Sequence, residues 1–145
     1  MSLLIENSGL GGYYTELARI LVFGKASSEL ADAFEFVREA QAKTAGRLVA
    51  GALGGDIFRA HNSFMTAGGA PPEARLYAHS QGYDLVERPL VRDDETMPLC
   101  ESMNMAVHPS WGAPSKFAVI CDNFIIHEHG PVERLHRTEQ KIFEL

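Results

Sequence analysis

The sequence has few of the features that mark secreted, membrane-spanning or disulfide-stapled proteins. Its two cysteines, Cys100 and Cys121, follow no CxxC or other paired spacing, so a disulfide framework is not indicated. No apolar run approaches the ~20 residues needed to cross a bilayer. The N-terminus lacks the basic and apolar regions of a signal peptide. These absences predict a cytoplasmic protein with no membrane partner.

Positive charge is also scarce. Lysine and arginine together number 13 against 19 acidic residues, which gives a formal net charge of -6. Such a balance argues against nucleic acid or an anionic membrane as the main partner. The remaining composition, 46% hydrophobic and 22% charged, is that of a globular protein. A chain of 145 residues is long enough for a single domain, residues 1–145, with a sizeable core.

The first fifty residues are patterned as a β-hairpin followed by a helix. Leu3–Phe23 is rich in branched and aromatic residues, and the segment Gly9-Leu10-Gly11-Gly12 supplies a turn. The helix is predicted to begin at an N-cap, either Ser27 or Ser28. Apolar residues then recur at helical spacing to about Val49.

The rest of the chain predicts one more helix and three strands. Asp56 is expected to cap the helix, which ends at Gly68-Gly69. His79–Pro89 is expected to be a turn that leads into a strand. Two further strands are expected at Met103–Val107 and Phe117–Ile126, with a loop at Trp111–Pro114 between them. Because strands and helices are clustered rather than alternating, the predicted class is α+β, a curved and mainly antiparallel sheet backed by two helices.

Five of the side chains of metal-binding type on or beside the predicted strands are candidate ligands. They are Glu6, Glu16, His79, His108 and Cys121. Carboxylate, imidazole and thiolate groups all bind divalent metals. Each also has a simpler interpretation, because the carboxylates could face solvent, the histidines could be structural, and the cysteine could be a buried packing residue.

The segments that carry these residues resemble the motifs of one enzyme family. Ile5–Ser8 and Gly12–Arg19 follow the patterns Ile-Asp-x-Gly and Gly-Tyr-x-Ser-Asp-Ile-Thr-Arg. His79–Pro89 follows Gly-His-x-x-Gly-x-(Asp/Glu)-x-His-Glu-x-Pro from its histidine onwards. These patterns are similar to those of the pita-bread metallopeptidases, which include methionine aminopeptidase, Xaa-Pro peptidases and creatinase.

Three further segments extend the resemblance over nearly the whole chain. Leu99–Ser110 follows Leu-x-Pro-Gly-Met-x-x-x-Val-Glu-Pro-Gly, and Val119–Asn123 follows Arg-Ile-Glu-Asp-Thr. Glu128–Leu135 echoes Glu-x-Gly-x-Glu-x-Leu. The resemblance implies the C-terminal half of a pita-bread fold. The sequence begins at the first metal-carboxylate strand of the pattern, so we expect it to be the C-terminal portion of a longer protein.

The same resemblance implies a changed active site. The five residues of metal-binding type stand at the family's ligand positions, but glutamate replaces aspartate twice, His108 replaces a glutamate and Cys121 replaces another. Val86 stands where the family has its second, catalytic histidine. The substrate-pocket positions implied by the motifs are His79, Glu87 and Asp122. A two-metal peptidase needs hard carboxylates that bridge both ions, so we predict that no standard two-metal centre forms.

Three functional hypotheses remain open from the sequence. The first is a degenerate homologue without standard two-metal peptidase activity. The second is an active hydrolase with a single zinc, iron or manganese ion, or a metal-free creatinase-like site, acting on a small peptide or another small C–N-bond substrate. The third is a binding or oligomerisation module, such as a homodimer, that pairs through an exposed sheet edge.

Overall fold

The computed structural model of the chain describes residues 1–113 and 116–145, which contain two helices and ten strands. The helices are α1 (Ser28–Ala45) and α2 (Gly54–Ala67). The strands are β1 (Ser2–Ser8), β2 (Tyr14–Val22), β3 (Ala78–Ser80), β4 (Glu87–Leu90), β5 (Asn104–Val107), β6 (Ser110–Ala113), β7 (Lys116–Val119), β8 (Asp122–Ile125), β9 (Glu133–Arg134) and β10 (Phe143–Glu144). The predicted α+β class is confirmed. Within the described ranges, neither helix is long and apolar enough to span a membrane.

The N-terminal hairpin forms as predicted and sets the two glutamates side by side. β1 and β2 pair antiparallel around a short 3-10 turn at Leu10–Gly12. Gly11 and Gly12 have φ angles of 81° and 86°, which a residue without a Cβ adopts at little cost. The strand register places Glu6 directly opposite Glu16. Both side chains therefore project from the same face of the hairpin.

Helix α1 has the predicted start but ends earlier than predicted. The Ser27 hydroxyl accepts a hydrogen bond from the Leu30 amide at 3.3 Å, as an N-cap should. The helix stops at Ala45, not near Val49, because the next amides, those of Arg47 and Leu48, bond to the carbonyls three residues back, of Thr44 and Ala45, instead of four. The apolar periodicity continues to Leu48, which is buried. Leu48 therefore packs in the core although it lies beyond the end of the helix.

The predicted cap of α2 is wrong. The helix begins at Gly54, two residues before Asp56, and its N-cap residue Leu53 makes no side-chain capping bond. Asp56 instead lies in the first turn, where its carboxylate interacts favourably with the positive end of the helix dipole. A Cβ on Gly54 would lie 2.5 Å from the Leu90 carbonyl oxygen. Close packing against the end of β4, rather than side-chain capping, therefore fixes where α2 starts.

The described strands form three sheets rather than one. Their orders are β1-β2-β10, β4-β3-β5-β8-β9 and β6-β7. Among these strands only β10 pairs in parallel, with β2, so the mainly antiparallel character is as predicted. An isolated bridge between Ala18 of β2 and Cys121 joins the first sheet to the segment before β8. This bridge brings the two sheets together at the predicted site.

Three strand predictions need correction. The expected turn and following strand at His79–Pro89 are present, with β4 as the strand, but His79 itself lies on an additional strand, β3, before the turn. The expected strand Phe117–Ile126 breaks between β7 and β8, because Cys121 pairs with Ala18 instead of continuing in one ladder. The expected loop at Trp111–Pro114 is largely strand β6, which pairs with β7. Pro114 itself lies outside the described residues.

A buried histidine in the core gives the fold a specific pH dependence. His61 of α2 stacks on Tyr77 at 3.8 Å between ring centroids, and its Nε2 is buried without a hydrogen-bond partner in the described residues. Burial lowers the pKa of His61 from 6.5 to about 4. The fold therefore accommodates the neutral ring and disfavours the protonated one.

We expect acidification to destabilise the protein through His61. Its folded pKa lies below its unfolded value, so its contribution is complete above about pH 6.5 and is lost as the pH falls towards 4. The full loss is about 3 kcal/mol. Urea unfolding of chelator-treated protein between pH 4 and 7 measures it. His61→Phe, which keeps an aromatic ring against Tyr77, should show a shallower pH dependence; an unchanged slope would contradict the assignment.

Candidate metal site

Three of the five predicted ligands converge where the first two sheets meet. Glu16 comes from β2, His79 from β3, and His108 follows directly after β5. One potential ligand atom from each of these residues lies within 4.8 Å of the other two. Nε2 of His108 is 3.4 Å from Oε1 of Glu16. The rings of His79 and His108 meet edge to face with centroids 5.3 Å apart.

His79 is oriented by a hydrogen bond on its outer nitrogen. Nδ1 lies 2.9 Å from the backbone carbonyl of Ser80. A carbonyl only accepts, so Nδ1 carries a proton, and in the neutral ring Nε2 has the free lone pair. A hydrogen bond of this kind fixes the tautomer and the ring plane of metal-binding histidines. The buried His79 side chain is thus held in a form suited to ligation.

Glu16 is a buried carboxylate held by its own backbone contacts. Its side chain and backbone are almost fully buried, and its amide donates to Oδ1 of Asn123 at 2.7 Å. Burial raises the pKa of Glu16, while a hydrogen bond from Cys121 and the positive charge that His79 can carry oppose that rise. A charged carboxylate in such a position would be stabilised by a nearby cation.

His108 is neutral at physiological pH. Burial lowers its pKa to about 4, and charge on His79 and Arg75 acts in the same direction. Neutral imidazole is the form that binds metals. The cluster therefore offers one carboxylate, the neutral imidazole of His108 and the imidazole of His79.

The other two predicted ligands lie beside this cluster. Glu6 is exposed and lines the same cavity, but its carboxylate is outside the group of atoms within 4.8 Å of one another. Cys121 is fully buried, and its Sγ lies 3.0 Å from Oε1 of Glu16. Burial and the neighbouring Glu16 raise the pKa of the Cys121 thiol well above its usual range.

The cluster opens onto a cavity of about 440 Å³ with a largely apolar wall. Leu4, Val86 and Phe117 each line it and are each about half exposed. Val86 occupies the position that the sequence patterns give to a catalytic histidine, and its aliphatic side chain cannot exchange a proton. The cavity can therefore hold an apolar group beside the cluster but offers no imidazole at this position.

Of the three predicted substrate-pocket residues, only His79 lines this cavity. Glu87 accepts a hydrogen bond from the Asp84 amide at 2.8 Å and lines a separate depression next to Tyr13. Asp122 is fully buried and forms an ion pair with Arg19 at 2.7 Å. The structure thus places Glu87 and Asp122 in supporting contacts away from the cluster.

Sequence patterns did not indicate two residues that shape the site. His136, in the C-terminal segment, contacts the backbone carbonyl of Glu16 at 2.9 Å through Nε2. Arg75 lines the cavity, and its guanidinium is held by Glu73 and by the Ser110 hydroxyl at 2.8 Å. Neither residue belongs to a periodic segment or a motif, so no local signal marks it.

Solved structures similar to this chain are peptidases of larger size. A dipeptidase from Mycobacterium ulcerans is 18% identical with a TM-score of 0.88, and the match covers 99% of this chain and 39% of that one. An X-Pro aminopeptidase from Thermotoga maritima is 22% identical with a TM-score of 0.85, over 92% and 38%. A methionine aminopeptidase from Rickettsia prowazekii is 17% identical with a TM-score of 0.76, over 92% and 62%.

At these identities the likeness establishes a shared fold. The chain spans about two fifths of the length of the first two of these structures. No curated protein sequence matches it. A family model described as metallopeptidase family M24 matches residues 3–128, in agreement with the motif resemblance. With that match over most of its length, the chain belongs to metallopeptidase family M24.

Proposed function

We propose that this chain binds one divalent metal ion through Glu16, His79 and His108 and does not support the standard two-metal peptidase reaction. The observation that carries the proposal is the convergence of their ligand atoms within 4.8 Å of one another. Two histidines and one carboxylate form the ligand set of single-zinc hydrolases and of non-haem iron enzymes. Zinc, iron and manganese are thus the metals that suit these donors.

The donor set argues for one ion rather than two. A two-metal centre holds both ions through bridging and flanking carboxylates. Here Glu16 is the only carboxylate in the described cluster, and the histidines can each bind a single ion at this position. Glu6 is a second carboxylate that lines the cavity, but it is exposed and lies outside the cluster.

The chemistry that remains depends on what the chain's own residues can do. A bound ion would supply Lewis acidity towards a carbonyl or a water molecule. Glu16 and the histidines would hold it, and the wall formed by Leu4, Val86 and Phe117 would accept the apolar part of a small peptide or another small C–N-bond substrate. Val86 cannot assist proton transfer, a role worth roughly 10²–10⁴-fold in rate. This loss favours a chain without standard peptidase activity. The competing proposal is a hydrolase that is active with a single metal or without one.

Metal analysis of protein purified without chelator tests the stoichiometry. We expect close to one zinc, iron or manganese ion per chain and no hydrolysis of Xaa-Pro dipeptides by the full-length gene product with added divalent metals. Two ions per chain would refute the single-metal proposal. Hydrolysis that disappears on His108→Ala substitution would instead establish the competing active hydrolase.

A second candidate function, pairing with another polypeptide, rests on strand β1. All seven of its residues are exposed, and one of its edges has no strand partner in the described residues. Leu3 and Ile5, on the face away from the cavity, are 42% and 48% exposed. Open, apolar edge strands favour pairing with another chain.

Light scattering over a range of concentrations tests this candidate. If β1 pairs between copies, the chain should form dimers, and Ile5→Lys should shift them to monomers because charge on an edge strand opposes pairing. Thr66→Lys on the surface of α2 is a matched control that should leave the association unchanged. A monomer at every concentration would remove the homodimer from consideration.

A further inference from the structure

The thiol of Cys121 contacts the carboxylate of the proposed metal ligand Glu16. Its Sγ lies 3.0 Å from Oε1 of Glu16 and 3.7 Å from the backbone carbonyl of the same residue. An ionised carboxylate and a carbonyl only accept hydrogen bonds, so the thiol S–H is the donor. The sulfur thus points at the carboxylate of Glu16.

The position of the sulfur does not suit ligation. A tetrahedral zinc site with Zn–S of about 2.3 Å and Zn–N of about 2.1 Å places the sulfur about 3.6 Å from each nitrogen ligand. The cluster of atoms lying within 4.8 Å of one another comprises Glu16, His79 and His108 and, among the described residues, does not include Cys121. Ligation would require the sulfur to move towards both histidines.

The backbone around Cys121 opposes that movement. The amides of Ala18 and Cys121 each donate to the other's carbonyl at 3.2 Å. Nη1 of Arg19 donates to both of these carbonyls at 2.8 Å. The three residues therefore lock β2 against the segment that precedes β8. The thiol is presented to Glu16 from a fixed backbone position.

We propose that Cys121 is a positioning residue that donates its S–H to Glu16 and holds this carboxylate towards the histidines, without itself binding the metal. Oε1 of Glu16 receives the thiol on one side and faces Nε2 of His108 at 3.4 Å on the other. The carboxylate is thereby restrained to one orientation. The inference rests on the proposed metal site and specifies how that site is assembled.

Cobalt binding distinguishes a Cys121 thiol that donates a hydrogen bond to Glu16 from a Cys121 thiolate that binds the metal. In a Cys100→Ser background, which removes the exposed cysteine, the Co²⁺ complex should lack the near-ultraviolet charge-transfer band of cobalt–thiolate bonds. Cys121→Ser should keep Co²⁺ affinity within about threefold because its hydroxyl also donates, whereas Cys121→Ala should weaken it roughly tenfold, the lower range for loss of an orienting partner. A thiolate band, or equal losses in the two variants, overturns the inference.

The outcomes distinguish this inference from the function on which it rests. If the protein binds no Co²⁺, the metal site itself is refuted, and the positioning role falls with it. If Co²⁺ binds with a thiolate band, the metal site stands and only the positioning role fails. The infrared S–H stretch of the metal-free protein gives a measurement that needs no variant at Cys121. We expect it at the lowered frequency of a hydrogen-bonded thiol, and an unshifted band would contradict the donor assignment.

Discussion

His108→Ala is expected to weaken Zn²⁺ binding by about 100-fold or more, equivalent to about 2.7 kcal/mol. The substitution removes one of three converging ligands, and even the loss of an outer-shell partner costs 10–100-fold in comparable sites. It leaves Glu16 and His79 with half of the coordination that zinc normally requires. Isothermal titration calorimetry of chelator-treated protein measures the loss directly.

Thermal unfolding provides an independent measure of the same effect. A ligand that binds only the folded state stabilises it by about 2.7 kcal/mol when present at 100 times its Kd. Zinc should therefore raise the Tm of the wild-type chain and have little effect on His108→Ala. His127→Ala is the matched control, because this exposed histidine pairs with Glu133 outside the cluster. Equal zinc responses from wild type and His108→Ala would show that the cluster does not bind the metal.

The convergence of the three ligands was predictable because it depends on the order of the elements. Glu16, His79 and His108 were placed by motifs that each lie on a strand or at its end. The antiparallel pairing of β3 with β5 brought the two histidines together, and the bridge between Ala18 and Cys121 brought β2 and its Glu16 beside them. The contribution of Glu6 and Cys121 was not predictable in the same way. It depends on side-chain direction and on hydrogen-bond partners, such as the thiol contact with Glu16, which residue order does not specify.

The same distinction explains which parts of the fold were missed. Hairpin β1–β2 was located by its branched and aromatic residues and its glycine turn, and helix α1 by its apolar spacing and its side-chain cap. The start of α2 was misplaced because it depends on the approach of Gly54 to the Leu90 carbonyl, a contact between residues distant in sequence. Strands β9 and β10 have two residues each, too few for a period to appear.

The segment between those short strands is held by a buried polar network centred on Arg19 and Asp122. The two side chains are 4% and 0% exposed and form an ion pair at 2.7 Å. Arg19 also donates to the carbonyls of Thr138 and Glu139, and Gln140 donates to Asp122 at 2.9 Å. The network therefore attaches the C-terminal segment to β2 and β8. Strand β2 carries Glu16, and Cys121 directly precedes β8.

Asp122→Ala is expected to destabilise the protein by about 3–5 kcal/mol, because it leaves the Arg19 guanidinium buried without its counter-ion. Urea unfolding of metal-free protein at neutral pH measures this loss without a contribution from metal affinity. Glu35→Ala is the control, since it breaks an exposed ion pair with Arg38 on the surface of α1. Pairs of that kind contribute at most about 1 kcal/mol.

A double variant shows whether the destabilisation by Asp122→Ala arises from the unpaired charge of Arg19. Combining Arg19→Met with Asp122→Leu removes both charges, and apolar replacement of a buried ion pair is often neutral or stabilising. We expect the double variant to recover part of the loss seen with Asp122→Ala, although the carbonyls that Arg19 served lose their donor. A double variant less stable than Asp122→Ala would show that Arg19 acts chiefly through the carbonyls of Ala18, Cys121, Thr138 and Glu139, with the ion pair secondary.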